Sequence, residues 1–488
     1  MYSPARNGSV QTKRAPRVPA GECIAGVGLL PNMKRFFTRT GATMNMTEGK
    51  PLRLLAVFAL PLLIGNIFQQ AYNLADSMIV GKLIDADALA AVGATGSISF
   101  LFYSVFNGIS GGCGIVTAQF FGAGQTEKVS RSIVNSAYLM ISSSLFTGAL
   151  AFILAPTALR LMGTHERVLK DAVIYMRMTS ASVPLIAIYN YASSMQRALG
   201  DSRTPLYFLI VACIINVGLD LLFVGVFEWK VFGAAFATML SQLLAGAGSL
   251  IYAYRHNPYF RVDKKNLALD GAILKSSVRM GLPLALQWSL IAISTTALQS
   301  VVNGFGPTAM AAYTATNRLE QLVQQPFGSM SMALSTYSGQ NKGAGKIERI
   351  RLGFRQSMLA MAVVAGAMLL LMQLGGSALM HMFVNEKGVI TLGAKALRLT
   401  SLFYVFLGVI YVTRGVLNGV GDAFFAFING IVEIAGRVGL PLLLLNVMAR
   451  NVMVIWITAG LTWVMAGISC LMRYFAWRKK TSAQVTEP

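Results

Sequence analysis

From Leu54 to Val80 the chain is apolar over a bilayer's width, and its polar residues fall on one side only. Asn66, Gln69, Gln70, Asn73, Asp76 and Ser77 are spaced at the three-, four- and seven-residue intervals of a single helical stripe. The pattern predicts a helix with a wet face toward protein and an oily face toward lipid. Comparable apolar runs recur along the whole chain, at about 54–80, 88–120, 132–156, 171–198, 206–227, 232–254, 280–304, 309–338, 355–376, 391–418, 424–446 and 453–475. Each reaches the roughly 20 residues that a spanning helix needs. They lack the strict two-residue alternation of barrel strands, and a helix satisfies its own backbone in lipid.

Composition agrees with this reading. The chain is 55% hydrophobic and only 12% charged, against about 25% charged in a soluble protein. An all-α membrane protein with twelve transmembrane helices is expected. The net charge of +22 first suggests a nucleic-acid partner, but its distribution argues against one. Lys and Arg gather in alternate loops, such as Arg255, Arg261, Lys264, Lys265, Lys275 and Arg279, or Lys342, Lys346, Arg349, Arg351 and Arg355. The intervening loops are poor in them. This positive-inside asymmetry puts both termini and the 255–279 segment in the cytoplasm, and no nucleic acid is expected. Cys23, Cys113, Cys213 and Cys470 are scattered, and the three histidines form no cluster, so neither a disulfide framework nor a metal site is indicated. No HExxH, nucleophile elbow or glycine-rich phosphate loop points to an enzyme. Residues 1–45, rich in Arg and Pro, read as a disordered or mis-assigned extension ahead of a start at Met44 or Met46.

The chain repeats itself at an offset of 221 residues. Gln119 and Gly122 align with Gln340 and Gly343, Gly200-Asp201 with Gly421-Asp422, and Val217-Gly-Leu with Val438-Gly-Leu; Pro61 aligns with Pro283 after one residue of slippage. Two pseudo-symmetric six-helix lobes follow, 46–254 and 280–480, with 255–279 as linker and 481–488 as tail. An even number of helices per repeat keeps both lobes in one orientation, the geometry of parallel-repeat transporters.

Asp76 is the only residue of the first span that carries a charge at neutral pH. A charge at mid-membrane costs on the order of 2.5–3.5 kcal/mol and marks a pair, an ion site or a proton carrier; near the span end it can instead cap the helix beside water. The fifth span carries Asn216 and Asp220 four residues apart on one face, with no basic residue to neutralise the acid. Two such carboxylates suit a shared proton or a hard cation such as sodium. In the second lobe the intramembrane charges are Arg318, Glu320, Glu433 and Arg437. Glu433 and Arg437 have the spacing of an intrahelical pair, either structural or a neutralised counterpart of the first-lobe site, since Arg437 aligns with Asn216.

The run Pro61-Leu-Leu to Asn73-Leu-Ala-Asp76-Ser-Met-Ile-Val-Gly81 resembles the first helix of the multidrug and toxic compound extrusion (MATE) family. So do Gln196-Arg-Ala-Leu-Gly-Asp-Ser-Arg-Thr-Pro205, Asn216 to Asp220, and Gly233-Ala-Ala-Phe-Ala-Thr238 for later segments. The resemblance implies export of organic cations from the cell across its inner membrane by a monomer, in exchange for sodium or protons and with no cofactor beyond that ion. Membrane lipid would be its other partner. It also implies a cation site at Asp76, Asn190, Asn216, Asp220 and Thr238, a bending point at Pro61, and a cleft to which Gln69 and Asn73 belong. One departure stands out. Acidic residues that some members carry in the seventh and tenth helices are absent here; Gln287 is the most polar early residue of the seventh, and the tenth holds Arg414. A lipid-linked oligosaccharide flippase of the same superfamily is the alternative, kept open by Arg318 and Arg437.

Overall fold

The computed structural model describes residues 43–84, 86–447 and 451–486; the expectations for residues 1–42, Cys23 included, lie outside them. Among the described residues there are thirteen α-helices: α1 (Pro51–Leu83), α2 (Ala86–Gly122), α3 (Thr126–Leu161), α4 (Glu166–Ala198), α5 (Arg203–Asp220), α6 (Lys230–His256), α7 (Gly271–Asn303), α8 (Pro307–Gly343), α9 (Ile347–His381), α10 (Lys387–Ser401), α11 (Tyr404–Gly419), α12 (Ala423–Val447) and α13 (Val454–Thr486). No strand occurs among the described residues. The helix α5 runs on through a π-helical turn, Leu221–Val226. The tenth expected span is two helices, α10 and α11, bent by 52° across Leu402–Phe403, so thirteen helices make twelve crossings. The first helix continues unbroken through Pro61.

Among the described residues ten helices are long and apolar enough to span alone, and the bent pair is an eleventh. The twelfth, α8, fails on composition: its middle turns hold Asn317, Arg318, Glu320, Gln321, Gln324 and Gln325. It lies within the bundle because it packs on α11, α9, α10, α1 and α2, which leaves less of it to face lipid.

Equivalent helices of the two repeats make equivalent contacts. In the first half α2 packs on α4, and in the second α8 packs on α11; between the halves α2 meets α7 and α1 meets α8. Small residues bring these backbones close. A Cβ on Gly108 would lie 2.4 Å from the Ala285 nitrogen, and one on Gly112 would lie 2.4 Å from the Gly281 nitrogen. Ser104 and Ser289 share a hydrogen bond of 2.7 Å, and Asn66 donates to Ser329 at 3.2 Å. From these pairs to the helix ends that carry the basic loops, the halves stay in contact; the molecule is shut on its basic face.

Candidate functional site

The polar stripe of α1 faces a cavity of about 430 Å³ inside the first half. Asn66, Gln69, Asn73 and Asp76 line it from α1, Pro61 sits at its edge, and Asn190 and Thr238 join from α4 and α6. Tyr72, Tyr103, Phe106, Tyr175 and Tyr189 supply aromatic faces, and Arg197 stands at the basic-side end, donating to Ser193 one turn earlier.

Four of the five residues expected at a cation site come together beside this cavity. The helix α5 delivers Asp220, fully buried, and Asn216, 1% exposed. The Asp76 and Asp220 carboxyls meet within hydrogen-bonding reach. The Asn216 amide is oriented so that no oxygen faces a carboxylate: its nitrogen donates to Asp220 Oδ2 at 2.9 Å and its oxygen accepts from the Thr238 N–H at 3.2 Å. One oxygen of each carboxyl, Asp76 Oδ1 and Asp220 Oδ1, is buried with no hydrogen-bond partner. Among the described residues neither acid is paired with Lys or Arg. Buried oxygens of this kind are costly unless something binds them, and an all-oxygen set suits a proton or a hard cation.

Asn190 lines the same cavity, but its amide nitrogen donates to the Ile186 carbonyl of its own helix at 3.2 Å. Two residues that sequence reasoning missed belong to the cluster. The Tyr72 hydroxyl lies beside the Thr238 side chain, and Tyr175 flanks Asp76. Tyr72 lies one turn before Asp76 on the same face, so the stripe could have been read to include it.

The second half holds a buried network of different chemistry, in which only Arg437 is the repeat mate of a first-half site residue, Asn216. Arg414 donates to Glu433 and to Asn429, and Gln287 accepts from Arg414 Nε at 3.1 Å and Nη1 at 3.0 Å. Arg437 reaches Glu433 at 3.6 Å and donates to Ser294 at 2.7 Å. The pair expected within α12 therefore exists, but Arg414 of α11 is the closer partner. Glu320 lies near Thr400 and Arg437. Arg318 is exposed and apart from this network.

Comparison with known proteins matches these two halves separately. The MatE family model fits residues 61–222 and again 283–440, beginning at the repeated prolines Pro61 and Pro283. The chain belongs to the MatE family. It is 28% identical to the probable multidrug resistance protein YpnP of Bacillus subtilis over 378 residues, which is 77% of this chain and 84% of that protein. It is 23% identical to an FAD transporter of Shewanella oneidensis, over 86% of this chain and 93% of that one. Among solved structures it resembles a MOP superfamily transporter from Pyrococcus furiosus with a TM-score of 0.83 at 23% identity, covering 90% and 98% of the two chains. An outward-facing multidrug resistance MATE transporter gives 0.82 at 22% identity, covering 91% and 98%. Like the MatE family, this chain is a multi-pass membrane transporter.

Proposed function

We propose that this MatE protein is an antiporter that exports hydrophobic organic cations in exchange for sodium or protons. The observation that carries the reading is the meeting of Asp76 and Asp220, each with a buried oxygen left open and no basic partner, at the wall of an aromatic cavity of about 430 Å³. That volume is in the range of a drug-sized ligand. The aromatic faces favour flat cations, and the acid favours positive charge, whereas a pyrophosphate-bearing lipid would want the reverse. The relatives named for multidrug resistance support the same substrate class. In this reading the basic face is cytoplasmic, as are both termini, and 255–279 links lobes of 46–254 and 280–480.

Mechanistically, the coupling cation and the drug are both substrates. Oxygens of Asp76, Asp220 and Thr238 would take the sodium ion or proton, while Asn216 holds Asp220 in place through its amide. Cation binding biases the outward–inward equilibrium only as far as the site prefers one state. Arg414 and Arg437 already neutralise Glu433 in the second half, so that half moves without loading an ion.

The test is ethidium efflux from cells with sodium and pH gradients imposed separately, comparing the parent with Asp76→Asn and Asp220→Asn at matched expression. Gradient-driven efflux lost in both variants supports the site, and the effective gradient names the ion. Efflux untouched by either change sinks it.

A further inference from the structure

The repeated segments Gln119/Gln340 and Gly200-Asp201/Gly421-Asp422 have no part in the ion site, and they meet where the molecule is shut. The helices α4 and α11 end alike. Gly200 and Gly421 take φ of +88° and +84°, a left-handed conformation that glycine adopts without strain. Asp201 N–H returns to the Gln196 carbonyl at 2.9 Å and Gly200 N–H to Arg197 at 2.9 Å; the equivalents are Asp422 to Leu417 at 2.8 Å and Gly421 to Asn418 at 2.9 Å. This closure satisfies two of the last carbonyls and leaves the next two open. They are Ala198 and Leu199 in one half, Gly419 and Val420 in the other.

In each pair one carbonyl is filled by a glutamine of the opposite half, and the other by Lys342 of the same half or by the chain's N-terminal segment. Gln340 donates to Ala198 at 3.0 Å, and its repeat mate Gln119 donates to Gly419 at 2.9 Å. Lys342 donates to Val420, a cation at a helix C-terminus. At the equivalent Leu199 carbonyl the donor is the Met44 backbone N–H, at 3.1 Å. The rest of that segment is held by the second half. Met46 N–H donates to Gln340 Oε1 at 2.8 Å, the Met46 carbonyl accepts from Asn341 at 3.1 Å and Arg349 at 3.2 Å, and Thr47 accepts from Lys346 at 3.0 Å. Met46 is fully buried. Between the glutamines the helix ends touch: a Cβ on Gly122 would lie 1.9 Å from the Gln340 carbonyl oxygen, and one on Gly343 would lie 1.9 Å from that of Gln119.

We propose that this crossed pair of glutamines is the cytoplasmic latch of the transport cycle, and that Met44–Thr47 is a strap completing one of its two arms where Lys342 completes the other. The assignment of these residues to a cycle rests on the antiporter reading. Inward opening breaks both arms. They are unequal, because Gln340 holds the first half and the strap together, whereas Gln119 makes a single donor bond.

The experiment uses the full chain with its four cysteines replaced by alanine and Ser277→Cys as reporter. Ser277 is fully buried, and its carbonyl packs against Gly112 in the seam between α2 and α7. Labelling by a membrane-impermeant maleimide is followed in everted vesicles, without drug or gradient. The expected result is a labelling rate raised about tenfold by Gln340→Ala and less by Gln119→Ala. Gln340→Glu, which keeps the acceptor for Met46 and loses the donor to Ala198, falls between. A rate unchanged in all three variants overturns the latch, and Gln119→Ala equal to or above Gln340→Ala overturns the strap. Because labelling needs no coupled efflux, it reads the latch separately from the Asp76 and Asp220 variants.

Discussion

Arg414 on α11 donates to Glu433 on α12, although Arg437, one turn along Glu433's own helix, stands 3.6 Å away. The side chains of Arg414 and Glu433 are 10% and 6% exposed, so the pair is desolvated. Removing the acid strands two guanidiniums at once, and breaking a buried pair costs about 3–5 kcal/mol. Glu433→Gln is therefore expected to lower the melting temperature in detergent strongly. Arg437→Met leaves Glu433 its closer partner and is expected to cost less. Equal losses would mean that the two arginines share the acid evenly.

Tyr72 lines the cavity with its hydroxyl beside Thr238. Tyr72→Phe removes one hydroxyl and keeps the ring. A hydroxyl that close to the site is worth at most one hydrogen bond, about 0.5–1.5 kcal/mol net, so the apparent affinity for the coupling ion should fall by no more than about tenfold, with the melting temperature nearly unchanged. The ion concentration giving half-maximal efflux measures it.

Glycines separate into two groups by what a methyl would meet. Gly112→Ala puts a Cβ 2.4 Å from the Gly281 backbone nitrogen, and overpacking of that kind costs about 1–3 kcal/mol. Gly366, inside α9, has nothing within 4 Å of its would-be Cβ. Gly366→Ala should stabilise by about 0.5–1 kcal/mol through helix propensity alone. Thermal melts of the two variants should move in opposite directions.

Asp201 and Asp422 are repeat mates with different duties. Asp201 accepts from the Arg203 N–H at 3.0 Å, the Thr204 N–H at 3.0 Å and the Thr204 hydroxyl at 2.6 Å, capping α5. Burial pushes its carboxyl up from the usual range, while those donors pull the other way. Asp422 pairs with Arg473, whose side chain is 50% exposed. Asp201→Ala is expected to cost about 0.5–2 kcal/mol, as a lost cap does, and Asp422→Ala at most about 1 kcal/mol, as an exposed pair does. Chemical or thermal denaturation ranks them.

Much of the fold was legible because lipid imposes long apolar helices, and the repeat was legible because Pro61, Gln119 and Gly200 recur in register. The stripe of α1 announced Asp76 by period alone. Its meeting with Asp220 was not readable, because a helical period says which face is wet and not which helix lies opposite. Asn190 illustrates the limit of position: it reaches the cavity, yet its amide nitrogen is engaged by its own helix at Ile186. In the sequence Arg414 is a charge in an apolar span with no acid beside it; only the packing of α11 against α12 gives it Glu433. The latch was hidden for a related reason. A repeat states which residues correspond, and Gln119 and Gln340 correspond, but their crossing depends on where the pseudo-axis passes.

The polarity of α8 has a consequence for how the protein is made. A segment with six polar or charged residues in its middle turns has little drive to leave the translocation machinery for bare lipid. It needs partners already waiting, and two of those it packs on, α1 and α2, belong to the first half. The halves are thus structural repeats without being independent assembly units. The second, synthesised alone, would lack the surface that receives its most polar helix, and synthesis from the N-terminus supplies that surface first.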